Sequence, residues 1–259
     1  MTCNKVGRFV WHDLFTGDRS RSMDFYRDLA SWSFLTEHAM DFAWGGGEKD
    51  FVLALAQEEV GAGFAETPQH YDDGWIAYVE VEDVDQSASA VERLGGTVVR
   101  PPFEVPGVGR NCLLRDPLGA LVGICLSRHS YPVQQRQFGV DGYLSSSADF
   151  PGEFYSELFG WIPGRDSELL RNTIISLPSG YEIAEQLRVL PQEQEDAHWI
   201  PSIKVEDVNA ACRDVRRLGG KLVKIDTTDP DRTRRPVFYD PNGALFFLVC
   251  ASLRTQNDC

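Results

Sequence analysis

Val81-Glu82-Asp83-Val84, running on to Leu94-Gly95-Gly96, returns later in the chain as Val205-Glu206-Asp207-Val208 running on to Leu218-Gly219-Gly220, an offset of 124 residues (84 to 208). An apolar strand residue is followed by Asp83 or Asp85 as a helix cap. Val84, Ala88, Val91 and Leu94 then fall at helical spacing, and the paired glycines supply the left-handed residue that ends the helix. Two further blocks repeat in the same order. Phe25-Tyr26-Arg27-Asp28-Leu29 before Trp32 matches Phe154-Tyr155-Ser156-Glu157-Leu158 before Trp161, at an offset of 129 (32 to 161). Asp116-Pro117-Leu118-Gly119-Ala120 matches Asp240-Pro241-Asn242-Gly243-Ala244, at 124 (116 to 240). Three blocks in one order at nearly constant offset make the chain a tandem duplication.

Each copy divides again. Phe9 to Phe15 is a strand-like run, Asp18 caps a helix with Met23, Tyr26 and Leu29 on its apolar stripe, and apolar segments follow around Phe34, Phe42 and Phe51 to Ala56. Gly45-Gly46-Gly47 is read as the hairpin turn among them. The second half of the copy places strands at Trp75 to Val81, Thr97 to Arg100, Asn111 to Arg115 and Leu121 to Leu126, around the Val84 helix. The second copy predicts strands near Val140 to Leu144, Asn172 to Leu177, Ile200 to Val205, Lys221 to Ile225, Val237 to Tyr239 and Leu245 to Cys250. The expected architecture is α+β, with four βαβββ modules in tandem. Domain 1 is expected over residues 7–127 and domain 2 over 138–252, with the polar, proline-bearing segment 128–137 as linker.

Composition narrows the partners. The formal net charge of −14 disfavours nucleic acid, which is bound by basic faces. No stretch reaches the roughly 18 apolar residues of a membrane span, and the opening Met1 to Arg8 lacks the apolar core of a secretory signal. A cytoplasmic protein, monomer or homodimer, is the expectation. The six cysteines show no CxxC pair and no zinc-like spacing, which fits small buried thiols.

The blocks resemble a known superfamily. A strand, an aspartate, then a helix bearing Phe154-Tyr155 and Phe159-Gly160-Trp161 is similar to the first module of the glyoxalase/bleomycin-resistance/dioxygenase (vicinal oxygen chelate) superfamily. The Val-x-Asp-Val helix, Leu-Gly-Gly and the Asp-Pro-x-Gly hairpin resemble its second module. The opening Phe9-Val10-Trp11-His12-Asp13-Leu14 is similar to that of two-copy bacterial glyoxalase-like proteins. The resemblance implies curved mixed sheets that form cups. In metal-dependent members, it further implies His, Gln or Glu ligands converging on a divalent cation from facing strands.

Carried over position by position, those ligands fall on Trp11, Ile76 and Gly123 in the first copy and on Val140, Ile200 and Phe247 in the second. None offers a side-chain lone pair to a cation. A one-residue change of register recovers only His12 and Asp141. The expectation is no metal at the standard position and no cofactor.

The residues expected to bind a ligand are Trp11, Asp13 and Tyr78. Together with Phe15, Ile76, Leu121 and Gly123 they would line the first cup, Gly123 leaving room. The second cup, with Val140, Gly142, Ile200, Ser202, Leu245 and Phe247, reads as more apolar and self-filling. His12 reads as a surface or sheet-packing residue, since a ligand or general base would need a partner within hydrogen-bond reach and Asp13 points to the opposite face of the strand. His198 reads as a loop residue, Asp116 and Asp240 as turn residues, Trp75 and Trp199 as packing residues, and Arg232, Arg234 and Arg235 as a solvated cluster. Three functions stay open: a metal-free small-molecule binder, an enzyme of the superfamily (lyase, isomerase, hydroxylase or dioxygenase) with a non-standard or absent metal site, and an interaction module whose cups are filled by side chains.

Overall fold

The computed structural model describes residues 5–39, 41, 43–45, 49–69, 71–128, 136–146, 149–164, 174–189, 196–223 and 235–251. In the first copy, β1 (Phe9–Thr16), α1 (Arg19–Ala30), β2 (Ser33–Ala39), β3 (Lys49–Ala56) and β4 (Glu59–Glu66) form one module. The next consists of β5 (Gly74–Glu80), α2 (Val84–Val91), β6 (Thr97–Val105), β7 (Gly109–Arg115) and β8 (Leu121–Ser127). Their strands make one mixed eight-stranded sheet in the order β2-β3-β4-β1-β5-β8-β7-β6. The first strands of the two modules meet antiparallel at its centre, with Asp13 opposite Ile76 and Trp11 opposite Tyr78.

The helix signals act as expected. Asp18, Asp83 and Asp207 each accept a backbone N–H three residues on, which satisfies a donor left open by the first helical turn. A short 3-10 turn, Glu92–Leu94, extends α2 until Gly95 takes the left-handed conformation. Asp116 and Asp240 close their hairpins by accepting two backbone N–H groups each, so their reading as turn residues stands.

Two strands of the first copy differ from expectation. β4 went unread because Gln57 and Glu58, both at positive φ, make the β3–β4 turn without the Gly or Asn that announces one. β6 runs past Arg100 to Val105 through Pro101-Pro102, with a register shift at that point. Being an edge strand, it tolerates the missing N–H groups.

The second copy repeats the plan with β9 (Asp141–Ser145), α3 (Gly152–Phe159), β10 (Ile162–Pro163), β11 (Ile174–Ser176) and β12 (Glu182–Arg188). It continues with β13 (His198–Ile200), β14 (Ser202–Val205), α4 (Val208–Arg217), β15 (Lys221–Leu222), β16 (Val237–Tyr239) and β17 (Leu245–Cys250). What is one strand in the first copy is two here. Pro201 stands where the first copy has Ala77, and without an N–H it interrupts the ladder between β13 and β14. The described strands therefore form a five-stranded sheet, β10-β11-β12-β9-β13, and a four-stranded one, β14-β17-β16-β15.

The copies pack through their helix-bearing sides. One core joins Val84, Ala88 and Val91 of α2 to Phe154, Tyr155 and Phe159 of α3, and another joins Phe25 and Tyr26 of α1 to Ala211 and Val215 of α4. The aromatic blocks of the repeat lie in these cores as matched networks. Trp199 donates to the Tyr155 hydroxyl (2.6 Å), which donates to Asp116 of the other copy (2.9 Å). Trp75 donates to Tyr26 (3.2 Å), which donates to Asp240 (3.5 Å). Burial raises the Asp240 pKa to about 6 against the pull of its turn N–H groups, and raises that of Asp116 as well. Most of the 128–137 segment lies outside the described residues. Gln137, read as linker, is fully buried and donates to the Ala54 carbonyl.

Candidate functional site

Packing the helix faces together leaves the concave face of each sheet to form a cup. In the first, alternation along β1 sends Trp11, Asp13 and Phe15 to the cup, while His12 and Leu14 go to the inter-copy core. A cavity of about 300 Å³ opens there, and Trp11, Asp13 and Tyr78 all line it. Phe51 and Phe103 add apolar walls, and Asn111, Cys125 and Ser127 add polar atoms on the β7–β8 side.

Asp13 sits at the centre of this arrangement. It is 8% exposed, accepts the Trp11 indole N–H at 2.7 Å, and is hydrogen-bonded by the Tyr78 hydroxyl. Burial raises its pKa to about 6, against the lowering effect of those two bonds and of His12. Burial beside Asp13 drives the Tyr78 phenol well above its ordinary range, so it stays a donor. Gly63 makes the geometry possible, because a Cβ there would lie 1.9 Å from the Phe51 ring and 2.6 Å from Asp13 Oδ1.

The room expected over Gly123 is taken. Gly123 pairs with Tyr78 in the ladder, and a Cβ on it would come within 2.2 Å of the Tyr78 ring. The glycine therefore seats the phenol rather than a ligand. Trp11, Ile76 and Gly123 offer no donor set for a cation, and among the described residues no group of three His, Cys, Asp or Glu side chains could hold one. The chemistry of these side chains does not fit the superfamily's metal.

Sequence reasoning missed Glu80, the third residue of the Ile76-Tyr78-Glu80 alternation. It is buried, and both the Ser127 hydroxyl (2.7 Å) and backbone N–H donate to it. The Cys125 thiol donates to the same carboxylate, and burial beside it pushes that thiol well above its ordinary pKa. His38 lies at the cavity wall and pairs with Asp50 at 3.5 Å. His70 and His129 fall outside the described residues.

The second cup departs from its expected apolar character. Phe247 is fully buried and, with Leu187 and Ile200, crowds Gly142. Glu185, opposite Gly142 and 1% exposed, is paired with Arg235. Arg235 is thus an ion-pair partner and not a solvated residue, while Arg232 and Arg234 lie outside the described residues. The two cups have traded strands for their carboxylate: Asp13 opposite Gly63 in one, Glu185 opposite Gly142 in the other. Ser202, which stands where the first copy has Tyr78, accepts the Gly139 backbone N–H at 2.8 Å.

His12 has the partner that sequence could not supply. Its Nε2 lies 3.1 Å from each Asp141 oxygen, across the copies, and its ring stacks on Phe138. It is neither a surface residue nor part of the cup. No described helix is long and apolar enough to cross a membrane.

Comparison with known proteins agrees with this fold. Residues 6–124 match the sequence model of the Glyoxalase/Bleomycin resistance protein/Dioxygenase superfamily, and residues 140–249 match that of a glyoxalase-like domain. The putative glyoxylase CFP32 of Mycobacterium tuberculosis is 27% identical over 247 residues, covering 92% of this chain and 93% of its own. The anthracycline biosynthesis protein DnrV of Streptomyces peucetius is 28% identical over 278 residues, covering 96% and 95%. Among solved structures, the 2,3-dioxygenase LapB of Pseudomonas sp. KL28 superposes with a TM-score of 0.58 at 14% identity, over 95% of this chain and 93% of that one. The Mn(II)-bound glyoxalase of Novosphingobium aromaticivorans does so with a TM-score of 0.56 at 13% identity, over 95% and 83%. With both copies matched and the sheets arranged as described, this chain belongs to the glyoxalase/bleomycin resistance protein/dioxygenase superfamily as a two-domain member.

Proposed function

We propose that the protein binds a small molecule in its first cup, without a metal at the superfamily's usual position, with Asp13 and Tyr78 orienting the ligand against Trp11. The observation that carries this reading is the Trp11–Asp13–Tyr78 cluster, with Asp13 and Tyr78 buried and Trp11 half-buried, on a cavity of about 300 Å³. Apolar walls with a few placed polar groups are the usual make-up of a small-molecule pocket. The pocket suits a ligand with a flat apolar body for Trp11, Phe51 and Phe103 and a hydrogen-bonding group for Asp13. A relative named for anthracycline biosynthesis is in keeping with such a ligand. A second reading, an enzyme that moves a proton, is favoured by one feature: a carboxylate whose pKa is raised to about 6 is poised for general acid–base work near neutrality. The test is a thermal-shift screen of aromatic small molecules on metal-stripped protein. Stabilisation by a binder that is unchanged on adding zinc, manganese, nickel or iron supports the metal-free reading. Stabilisation that appears only with one of those metals overturns it.

A further inference from the structure

A second cavity, of about 350 Å³, lies where the rims of the two cups meet, and among the described residues it shares no lining residue with the first. It is built from matched positions of both copies: Ile76 with Ile200, Trp75 with Trp199, and Leu121 with Leu245, each pair 124 residues apart. At two further matched positions the copies differ. Arg115 corresponds to Tyr239, and Gly74 to His198, so an apolar floor carries a guanidinium, a phenol and an imidazole. The first copy adds an aromatic wall, Trp44 stacked on Tyr71 with ring centroids 4.3 Å apart.

Arg115 is held in place by its own hairpin, donating to the Gly119 carbonyl at 2.6 Å, and among the described residues no carboxylate pairs with it. His198 opens β13 rather than lying in a loop; burial lowers its pKa, Asp196 opposing that and Arg115 adding to it, so a neutral imidazole stands beside the guanidinium. Two carboxylates also border the groove. Asp73 is engaged by the Gly17 N–H and the Thr67 hydroxyl. Asp72 is exposed, and its charge works against a multiply charged anion such as phosphate.

We propose that this groove is a second small-molecule site, for a planar aromatic monocarboxylate whose ring lies against the Trp44–Tyr71 wall and whose carboxylate meets Arg115. Guanidinium matches carboxylate geometry in a way that no other side chain does. The groove is a cavity separate from the first cup, although Ile76 in its floor is the ladder partner of Asp13.

The experiment is calorimetric titration of the intact protein with 2-naphthoate, its methyl ester and inorganic phosphate. One 2-naphthoate should bind per chain. Arg115→Met and His198→Gln should each weaken binding by about tenfold or more, as should esterification, since each removes a charge-assisted or polar contact. Asp13→Ala should leave this affinity within about twofold, because Asp13 lines the first cavity and not this one. If Arg115→Met does not fold, Tyr71→Ala, at an exposed position, reads the same wall. The proposal is overturned by absence of binding at millimolar 2-naphthoate, by wild-type affinity in Arg115→Met or Tyr71→Ala, by loss of binding in Asp13→Ala, or by phosphate competing as well as the aromatic acid.

Discussion

His12 Nε2 lies 3.1 Å from both carboxylate oxygens of Asp141, and the two residues occupy matched positions, 129 apart, in the two copies. Each is 2% exposed. Burial raises the Asp141 pKa, and His12 opposes that rise. The duplication has therefore diverged at one equivalent position into a complementary pair that ties the copies together. Removing one member strands the other in an apolar core. His12→Ala and Asp141→Ala should each cost about 3–5 kcal/mol, and the double variant clearly less than their sum. Urea unfolding of the three variants measures this, and additive losses would show that the pair is not coupled.

Asp13 makes stability depend on pH with a definite sign. Its pKa, raised by burial from 3.8 to about 6, means that the folded state holds the proton more tightly than the unfolded chain. The favourable contribution of the protonated group is present below pH 4 and is lost as pH rises through about 6. At pH 8 the cost is about 3 kcal/mol. Asp13→Asn should thus be more stable than the parent at pH 8, by about 1–2 kcal/mol after imperfect replacement of its hydrogen bonds. The gap should close below pH 5. Melting curves across that range decide it, and a variant less stable at every pH would count against a destabilised carboxylate held for function.

Gly123→Ala tests the seating of Tyr78. With a Cβ at 2.2 Å from the ring, the phenol must move, at a cost of about 1–3 kcal/mol. Ligand affinity in the first cup should fall as well. Gly142→Ala in the second cup is its counterpart, crowding Leu187 and Phe247, and should cost stability with no effect on first-cup binding.

The two aromatic networks differ in length and so should differ in energy. Tyr155 bridges Trp199 and Asp116 at 2.6 and 2.9 Å, whereas Tyr26 bridges Trp75 and Asp240 at 3.2 and 3.5 Å. Tyr155→Phe should cost about 1–3 kcal/mol and Tyr26→Phe less. Denaturation midpoints of the two variants compare them directly.

What the sequence made legible follows from where its signals are local. Aspartate caps, Gly95, the Asp-Pro-x-Gly turns and the two-residue alternation of β1 are written within a few residues, so the modules, the cups and the Trp11–Asp13 face could be read. β4 could not, because its turn at Gln57-Glu58 lacks a turn residue and its own Gly63 serves a packing need set by Phe51 and Asp13. The Glu185–Arg235 pair and the His12–Asp141 pair join residues 50 and 129 positions apart. Only the folded chain brings such partners together, which is why Arg235 read as solvated and His12 as alone.

The central claim, a ligand oriented by Asp13 and Tyr78 in the first cup, is tested most directly by titrating one binder from the thermal-shift screen into four folded proteins: the parent, Asp13→Ala, Tyr78→Phe and Ser202→Ala. Ser202 stands in the second copy where Tyr78 stands in the first. Loss of a hydrogen bond to a buried carboxylate or phenol should weaken binding by about tenfold or more in Asp13→Ala and Tyr78→Phe, with Ser202→Ala unchanged. Weakened binding in Ser202→Ala alone would place the ligand in the second cup and contradict the account.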